Sequence, residues 1–233
     1  MIPKRFIRLW LGPKAVPERF EKWWLGFQKI HPDYDFVTIT DSKRMLRRRS
    51  SNKRRRYLSA ESFWKSDNTP YHNLQSIYQN AATYAGRSDV LRLVALYELG
   101  GIYIDTDMMP LKSFDGLLKE STPFAGKRSS KSFESAVLGG AAKDPALLAL
   151  LEAMPSWSES HKDSTLPLAG AFISSVWWGH CRVRHLPIET FYPYNGFGLT
   201  RERKHQVFDE HDFPPEMLAA HFSENRWGGK PKD

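Results

Sequence analysis

The chain has 233 residues, 41% of them apolar and 26% charged, and carries a net charge of +8. That balance suits one globular domain large enough to bury a real core. It excludes a membrane-spanning helix, since no run approaches the roughly 20 apolar residues one needs, and the single cysteine, Cys181, excludes an intrachain disulfide or a multi-cysteine zinc site. The opening Met1-Ile2-Pro3-Lys4-Arg5-Phe6 has no apolar core of a signal peptide. The expectation is therefore a soluble, cytoplasmic protein, free or held peripherally at a membrane.

In chain order, Arg5 to Leu11 reads as a strand closed by Gly12-Pro13, and Pro17 suits the first turn of a helix. Phe20, Trp23, Trp24, Phe27 and Ile30 follow at helical spacing and predict an aromatic stripe packed into a core. His31-Pro32-Asp33 stops that helix, and Asp35–Ile39 is a second strand. Further on, Leu74, Ile77, Tyr78 and Ala81 predict a helix ending near Gly86, after which Ser88 is expected to cap a new helix over Asp89–Leu99. That second helix is apolar nearly all round, so it is buried, and Gly100-Gly101 ends it. A short strand, Ile102–Ile104, runs straight into Asp105-Thr106-Asp107. Later segments read as a strand at Ser135–Leu138, a helix from Pro145 to about Met154, and strands at Ile188–Tyr192 and Met217–Phe222. No internal repeat is visible. Alternating strands and helices predict an α/β domain with a mixed, mainly parallel sheet.

The positive charge is local. Residues 43–56 hold Lys43, Arg44, Arg47, Arg48, Arg49, Lys53, Arg54, Arg55 and Arg56 with no acid, which leaves the rest of the chain close to neutral. The run is expected to be a basic, flexible insertion. Its charge fits a polyanion, whether nucleic acid, an anionic membrane or an acidic glycan, and equally fits a solvated loop.

The chemistry concentrates between Ser88 and Asp107. Two carboxylates one residue apart on an extended chain face the same side, at the carboxyl end of a strand where open α/β sheets bind ligands. Their mutual repulsion favours a cation, and oxygen ligands suit Mn²⁺ or Mg²⁺ able to meet a diphosphate. An acidic turn after a strand is common, so the triplet alone is a weak motif. On the preceding helix, Asp89 and Arg92 lie three residues apart, share one face, and must find each other, water or a ligand.

These segments resemble the retaining glycosyltransferases with a DxD-containing sugar-binding region, which include fungal initiating mannosyltransferases, bacterial capsule enzymes and clostridial toxin glucosyltransferases. Three blocks carry the likeness: Ile2-Pro3-Lys4 with Trp10-Leu11-Gly12, then Ser88-Asp89 through Asp105-Thr106-Asp107, then His221 to Trp227. Phe191-Tyr192-Pro193 is a weaker fourth. The chain departs from the family pattern at Ser135, where Asn is usual, at Ala169-Gly170-Ala171 in place of Thr-Gly-Pro, and at Ile7 in place of His. The resemblance implies a single domain over 1–233 of GT-A type, Rossmann-like and nucleotide-sugar-binding, with residues 223–233 as a tail covering the donor. It further implies that Trp10 stacks on the base of a UDP- or GDP-sugar and that Asp89, Arg92, Tyr103 and Asp105 hold sugar and ribose. Asp107 would ligate the metal with Asp105, His221 and Asn225, while Trp227 would contact the phosphates; Asp105, Asp107 and Trp227 would thus be the catalytic group.

The implied reaction is transfer of a hexose with retained configuration, to a glycan or lipid-linked glycan. An acceptor that is itself a polyanion, including DNA with modified bases, would use Arg47, Arg48, Arg49, Lys53, Arg54, Arg55 and Arg56. No acid stands out as a covalent nucleophile, which favours front-face attack. The rival reading is a non-enzymatic binder of nucleic acid or anionic surfaces built on the basic run. A phosphotransferase or nuclease using the same carboxylates finds no P-loop and no further acidic cluster to support it.

Overall fold

The computed structural model describes residues 1–48, 52–66, 68–161, 169–192 and 210–222. Its organising strand is β1 (Arg5–Trp10), buried along almost its whole length. Because side chains alternate across a strand, Phe6, Arg8 and Trp10 face one helical layer while Ile7, Leu9 and Leu11 face the other. The first layer is α1 (Glu18–Ile30), which buries Phe20, Trp24 and Phe27. It leads to β2 (Asp35–Thr40), parallel to β1.

The two ends of the basic run that follows form regular structure. Ser42 caps α2 (Lys43–Leu46) through its hydroxyl, which accepts from the Met45 amide, and Met45 is buried. Arg55 and Arg56 open β3 (Arg55–Ser59), which pairs in parallel with β2 at one edge of the sheet. Arg54 donates to the Asp33 carbonyl and Arg56 pairs with Asp35. The charges suit an edge strand, where Lys and Arg discourage pairing with foreign chains. Arg49 lies outside the described residues.

A 3₁₀ turn at Ala60–Trp64 and α3 (Leu74–Asn80) precede α4 (Tyr84–Leu99). This helix starts earlier than its sequence suggests, because the Thr83 hydroxyl accepts from the Gly86 amide and caps it. Ser88 therefore lies inside the helix and is buried. From Ser88 to Tyr97 every residue is buried, the apolar ones against the core and Ser88, Asp89 and Arg92 with them. Gly100 (φ 60°) and Gly101 (φ 118°) turn the chain into β4 (Gly101–Ile104), which pairs in parallel with β1.

Beyond β4 come β5 (Met108–Pro110), β6 (Phe124–Ser129) and β7 (Ser132–Gly140). Then follow α5 (Pro145–Ser160), which runs on through Pro155, α6 (Gly170–Trp177), β8 (Arg184–Leu186) and β9 (Ala219–His221). The seven-stranded sheet has the order β3-β2-β1-β4-β7-β6-β8, with β7 antiparallel to both neighbours and the other four pairings parallel. A separate ribbon joins β5 to β9 antiparallel. Ile188–Thr190 is a 3₁₀ turn and not the expected strand: the Thr190 amide donates back to Pro187 and that of Tyr192 to Ile188, so their hydrogen bonds are spent locally. Among the described residues, no helix is long and apolar enough to cross a membrane.

Gly101 offers a test of the junction that delivers the carboxylates. A Cβ there would stand 2.6 Å from the Arg5 carbonyl oxygen, on backbone that L side chains rarely adopt. Gly101→Ala is expected to cost about 2 kcal/mol or more, lowering the melting midpoint by roughly 4–8 °C in calorimetry.

Candidate active site at the end of the central strand

The Asp-Thr-Asp triplet leaves β4 at the carboxyl edge shared by the parallel strands, and its backbone is pinned on both sides. The Asp105 amide donates to the Ala136 carbonyl of β7 (2.8 Å), and the Thr106 hydroxyl donates to the Leu9 carbonyl of β1 (2.9 Å). The triplet thus sits where β4 has a parallel neighbour on one side and an antiparallel one on the other, the kind of crevice in which open sheets bind ligands.

Arg92 reaches this crevice from α4 and is buried. Its guanidinium lies 2.7 Å from Asp89 and 3.3 Å from Asp105, and it donates to the Ser135 carbonyl at 2.8 Å. It also stacks on the Tyr103 ring at 4.9 Å, while the Tyr103 hydroxyl donates to Asp105. Asp89, Arg92, Tyr103 and Asp105 therefore form one network. Burial pushes the Asp89 carboxyl up to about 6 despite Arg92 beside it, and burial likewise raises the Tyr103 hydroxyl. For Arg92, burial works against the charge, yet Asp105, Tyr103 and Asp89 together hold its pKa above the ordinary value. The second oxygen of Asp89 is buried and has no hydrogen-bond partner among the described residues. A buried carboxylate oxygen left this way keeps hydrogen-bonding capacity that a ligand hydroxyl would satisfy.

The other half of the site comes from late in the chain. β9 pairs with β5, setting His221 opposite Met108, and the Phe222 amide donates to the Asp107 carbonyl. The His221 Nε2 lies 3.4 Å from Asp107 and 3.9 Å from Asp105, and one ligand atom from each of the three residues falls within 4.8 Å of the others. Burial alone would lower the imidazole, but Asp107 and then Asp105 lift it to about 9. Burial also raises Asp105, whereas at Asp107 the imidazole overrides burial and holds the carboxyl below its usual range. A proton on His221 thus occupies the place in the charge balance that a divalent cation would take. Two carboxylates and one imidazole are a suitable donor set for Mn²⁺ or Mg²⁺.

The remaining expected site residues lie apart from this group. Trp10 ends β1 on the same sheet edge, but its ring is only 5% exposed, packed with Phe20 and Met45, and its indole N–H donates to the Lys14 carbonyl. Asn225, Trp227 and the rest of 223–233 lie outside the described residues. Arg47, Arg48, Lys53, Arg54, Arg55 and Arg56 belong to α2, β3 and the segment between them, with β2 and β1 separating β3 from β4. Glu134, which the sequence does not single out, comes to the rim of the site because β7 runs antiparallel beside β4. Its carboxylate accepts from the Ser135 amide, and its charge acts on Asp89, Arg92 and His221. Only the pairing of β7 with β4 reveals it.

Comparison with known proteins agrees with this geometry. The family model described as glycosyltransferase sugar-binding region containing DXD motif matches residues 17–124. The chain is 28% identical over 158 residues to inositol phosphoceramide mannosyltransferase 3 of Schizosaccharomyces pombe, covering 64% of this chain and 38% of that protein. It is also 28% identical over 193 residues to a protein named Toxin from Photorhabdus asymbiotica, covering 72% of this chain and 6% of that protein. The chain therefore spans well under half the length of the curated relatives it matches. Among solved structures, PaToxG glycosyltransferase superposes with a TM-score of 0.60 at 21% identity, over 77% of this chain and 70% of that one. The UDP-bound glycosyltransferase domain from the YGT toxin gives 0.52 at 14% identity, over 70% and 63%. The fold is that of GT-A glycosyltransferase domains.

Two substitutions separate the halves of the site. Arg92→Met leaves Asp89 and Asp105 buried without their counter-charge and is expected to destabilise the protein by about 3–5 kcal/mol in urea unfolding. Asp107→Asn keeps the shape but removes one negative charge from the Asp105–Asp107–His221 group, so Mn²⁺ affinity measured by calorimetric titration is expected to fall by roughly 10- to 100-fold or more.

Proposed function

We propose that this chain, whose residues 17–124 match the glycosyltransferase sugar-binding region containing DXD motif, is a metal-dependent, retaining transferase. It moves a sugar from a UDP- or GDP-sugar to a hydroxyl acceptor on a glycan or lipid-linked glycan. The observation that carries the reading is the convergence of Asp105, Asp107 and His221 within 4.8 Å, beside the buried Asp89–Arg92–Asp105 network.

In this reading Asp105, Asp107 and His221 hold Mn²⁺ or Mg²⁺, which when bound neutralises the charge that gathers on the departing nucleoside diphosphate. Asp89 accepts hydrogen bonds from the sugar hydroxyls through its unpartnered oxygen. Arg92 keeps Asp89 and Asp105 ionised and fixed in position, so that neither has to reorganise as the sugar is transferred. Tyr103 sets the orientation of Asp105 from beneath. Trp10 serves the nucleobase from the same sheet edge, and Asn225 and Trp227, within the 223–233 tail, complete the ligand set and the phosphate contacts. With the donor's α-linkage retained, the acceptor attacks from the face the diphosphate leaves, and the leaving phosphate takes the acceptor's proton. The similar YGT toxin domain is UDP-bound, which supports a nucleoside diphosphate as the common ligand.

The test is a panel of UDP- and GDP-sugars with Mn²⁺, scored for hydrolysis by the natural protein, by Asp107→Ala and in the presence of a chelator. One donor should be hydrolysed, the rate should fall by about 10²-fold or more in the other two arms, and the released sugar should first appear as the α-anomer in NMR. A natural protein no faster than Asp107→Ala on every donor overturns the reading.

A further inference from the structure

The β6–β7 hairpin overhangs the site. Val137 pairs with Ile104, the last residue of β4, and the Asp105 amide takes the Ala136 carbonyl. Residues 132–135 of β7 therefore continue past the point where β4 ends, on the side where the carboxylates emerge. At about 3.3 Å per residue the overhang reaches roughly 13 Å beyond Ala136. It is stiffened by the pairings Lys127↔Phe133 and Ser129↔Ser132, and by the 2.7 Å contact between the two serine hydroxyls.

The charge on this overhang runs opposite to that of the site beneath it. Lys127, Arg128 and Lys131 face one acid, Glu134, whose carboxylate is 3.8 Å from Arg128. Arg128 and Lys131 are exposed, while Lys127 rests over the Trp178 ring at 5.7 Å. β8 pairs with β6 only from Phe124 to Gly126, so among the described residues 127–129 form a free edge. Edge protection would be served by charge of either sign. Arg128 is tied to the site's own charges through Glu134, whose charge acts on Asp89, Arg92 and His221.

We propose that this hairpin is the acceptor rim and that the acceptor carries an anionic group, a phosphate or carboxylate, read by Arg128 and Lys131. The inference rests on the glycosyltransferase reading and deepens it. It moves acceptor recognition from the basic run on α2 and β3 to a smaller basic group on β6 and the turn to β7, in the direction along the sheet away from β3. Guanidinium and ammonium donors to an anion form charge-assisted hydrogen bonds, screened by salt where exposed.

The experiment uses the full chain with UDP or GDP and Mn²⁺ bound, so that the donor side is filled. Glucose 6-phosphate, glucuronate and glucose are titrated by calorimetry, together with phosphatidylcholine vesicles with and without phosphatidic acid. At least one of the anionic sugars should bind roughly tenfold tighter than glucose. Arg128→Glu/Lys131→Glu, and the milder Arg128→Gln/Lys131→Gln, should erase that advantage, while Arg47→Glu/Lys53→Glu should keep it. Vesicle binding lost in the hairpin variants assigns the anion to a lipid headgroup; sugar binding lost without any vesicle binding assigns it to a soluble acceptor. Equal binding of glucose and both anionic sugars, or an advantage lost only in the Arg47/Lys53 variant, overturns the proposal. A natural protein that binds neither nucleotide would instead strike at the glycosyltransferase reading itself.

Discussion

A guanidinium buried between two carboxylates sets the terms for the rest of the molecule. Arg92 meets Asp89 on its own helix, Asp105 at the end of the next strand and the Ser135 carbonyl on β7 beside it. Three pieces of the fold are thus tied through one side chain. Such a cation is costly to bury, and the cost is tolerable only if every partner stays in place. The helix that carries it is otherwise apolar, which anchors the charge against the core and leaves it little freedom to follow a displaced partner.

The sheet is built so that this cluster opens outward in one place. β3, β2, β1 and β4 run parallel and end on one edge, and β7 reverses direction next to β4. A parallel neighbour ends its strand beside β4, whereas the antiparallel one is still arriving. The carboxylates consequently emerge between a strand end and a projecting hairpin, with an asymmetric crevice between them. The β5–β9 ribbon closes that crevice from a third direction and adds an imidazole to it.

Much of this was legible in the residues. Period-two and period-3.6 patterning exposes β1, α1, β2, the second half of α4 and β4, and so the α/β class. The placing of Asp89, Arg92, Asp105 and Asp107 around a Gly-Gly turn marks where chemistry should be sought. What patterning could not reveal depends on tertiary neighbours. β3 hides in a run of arginines because an edge strand needs little apolar surface. The true cap of α4 is Thr83, which Ser88 outcompetes on composition but not in the folded geometry. Ile188–Thr190 is apolar enough for a strand but satisfies its backbone within a tight turn. Glu134 and the overhanging hairpin become visible only through register: nothing in a linear sequence says that residue 137 stops beside residue 104.

The ribbon formed by β5 and β9 bears on the order in which the protein comes to life. Asp105 and Asp107 are synthesised well before their imidazole neighbour at 221, with β6, β7, α5, α6 and β8 between them. A nascent chain halted before β9 would hold two acids at the sheet edge without the imidazole that balances the second. The Arg92 clamp, whose partner strand β7 has emerged by then, can assemble, but the grouping of Asp105, Asp107 and His221 cannot. The three-residue cluster therefore forms only after the strands beneath it, β1, β4 and β7, have been made.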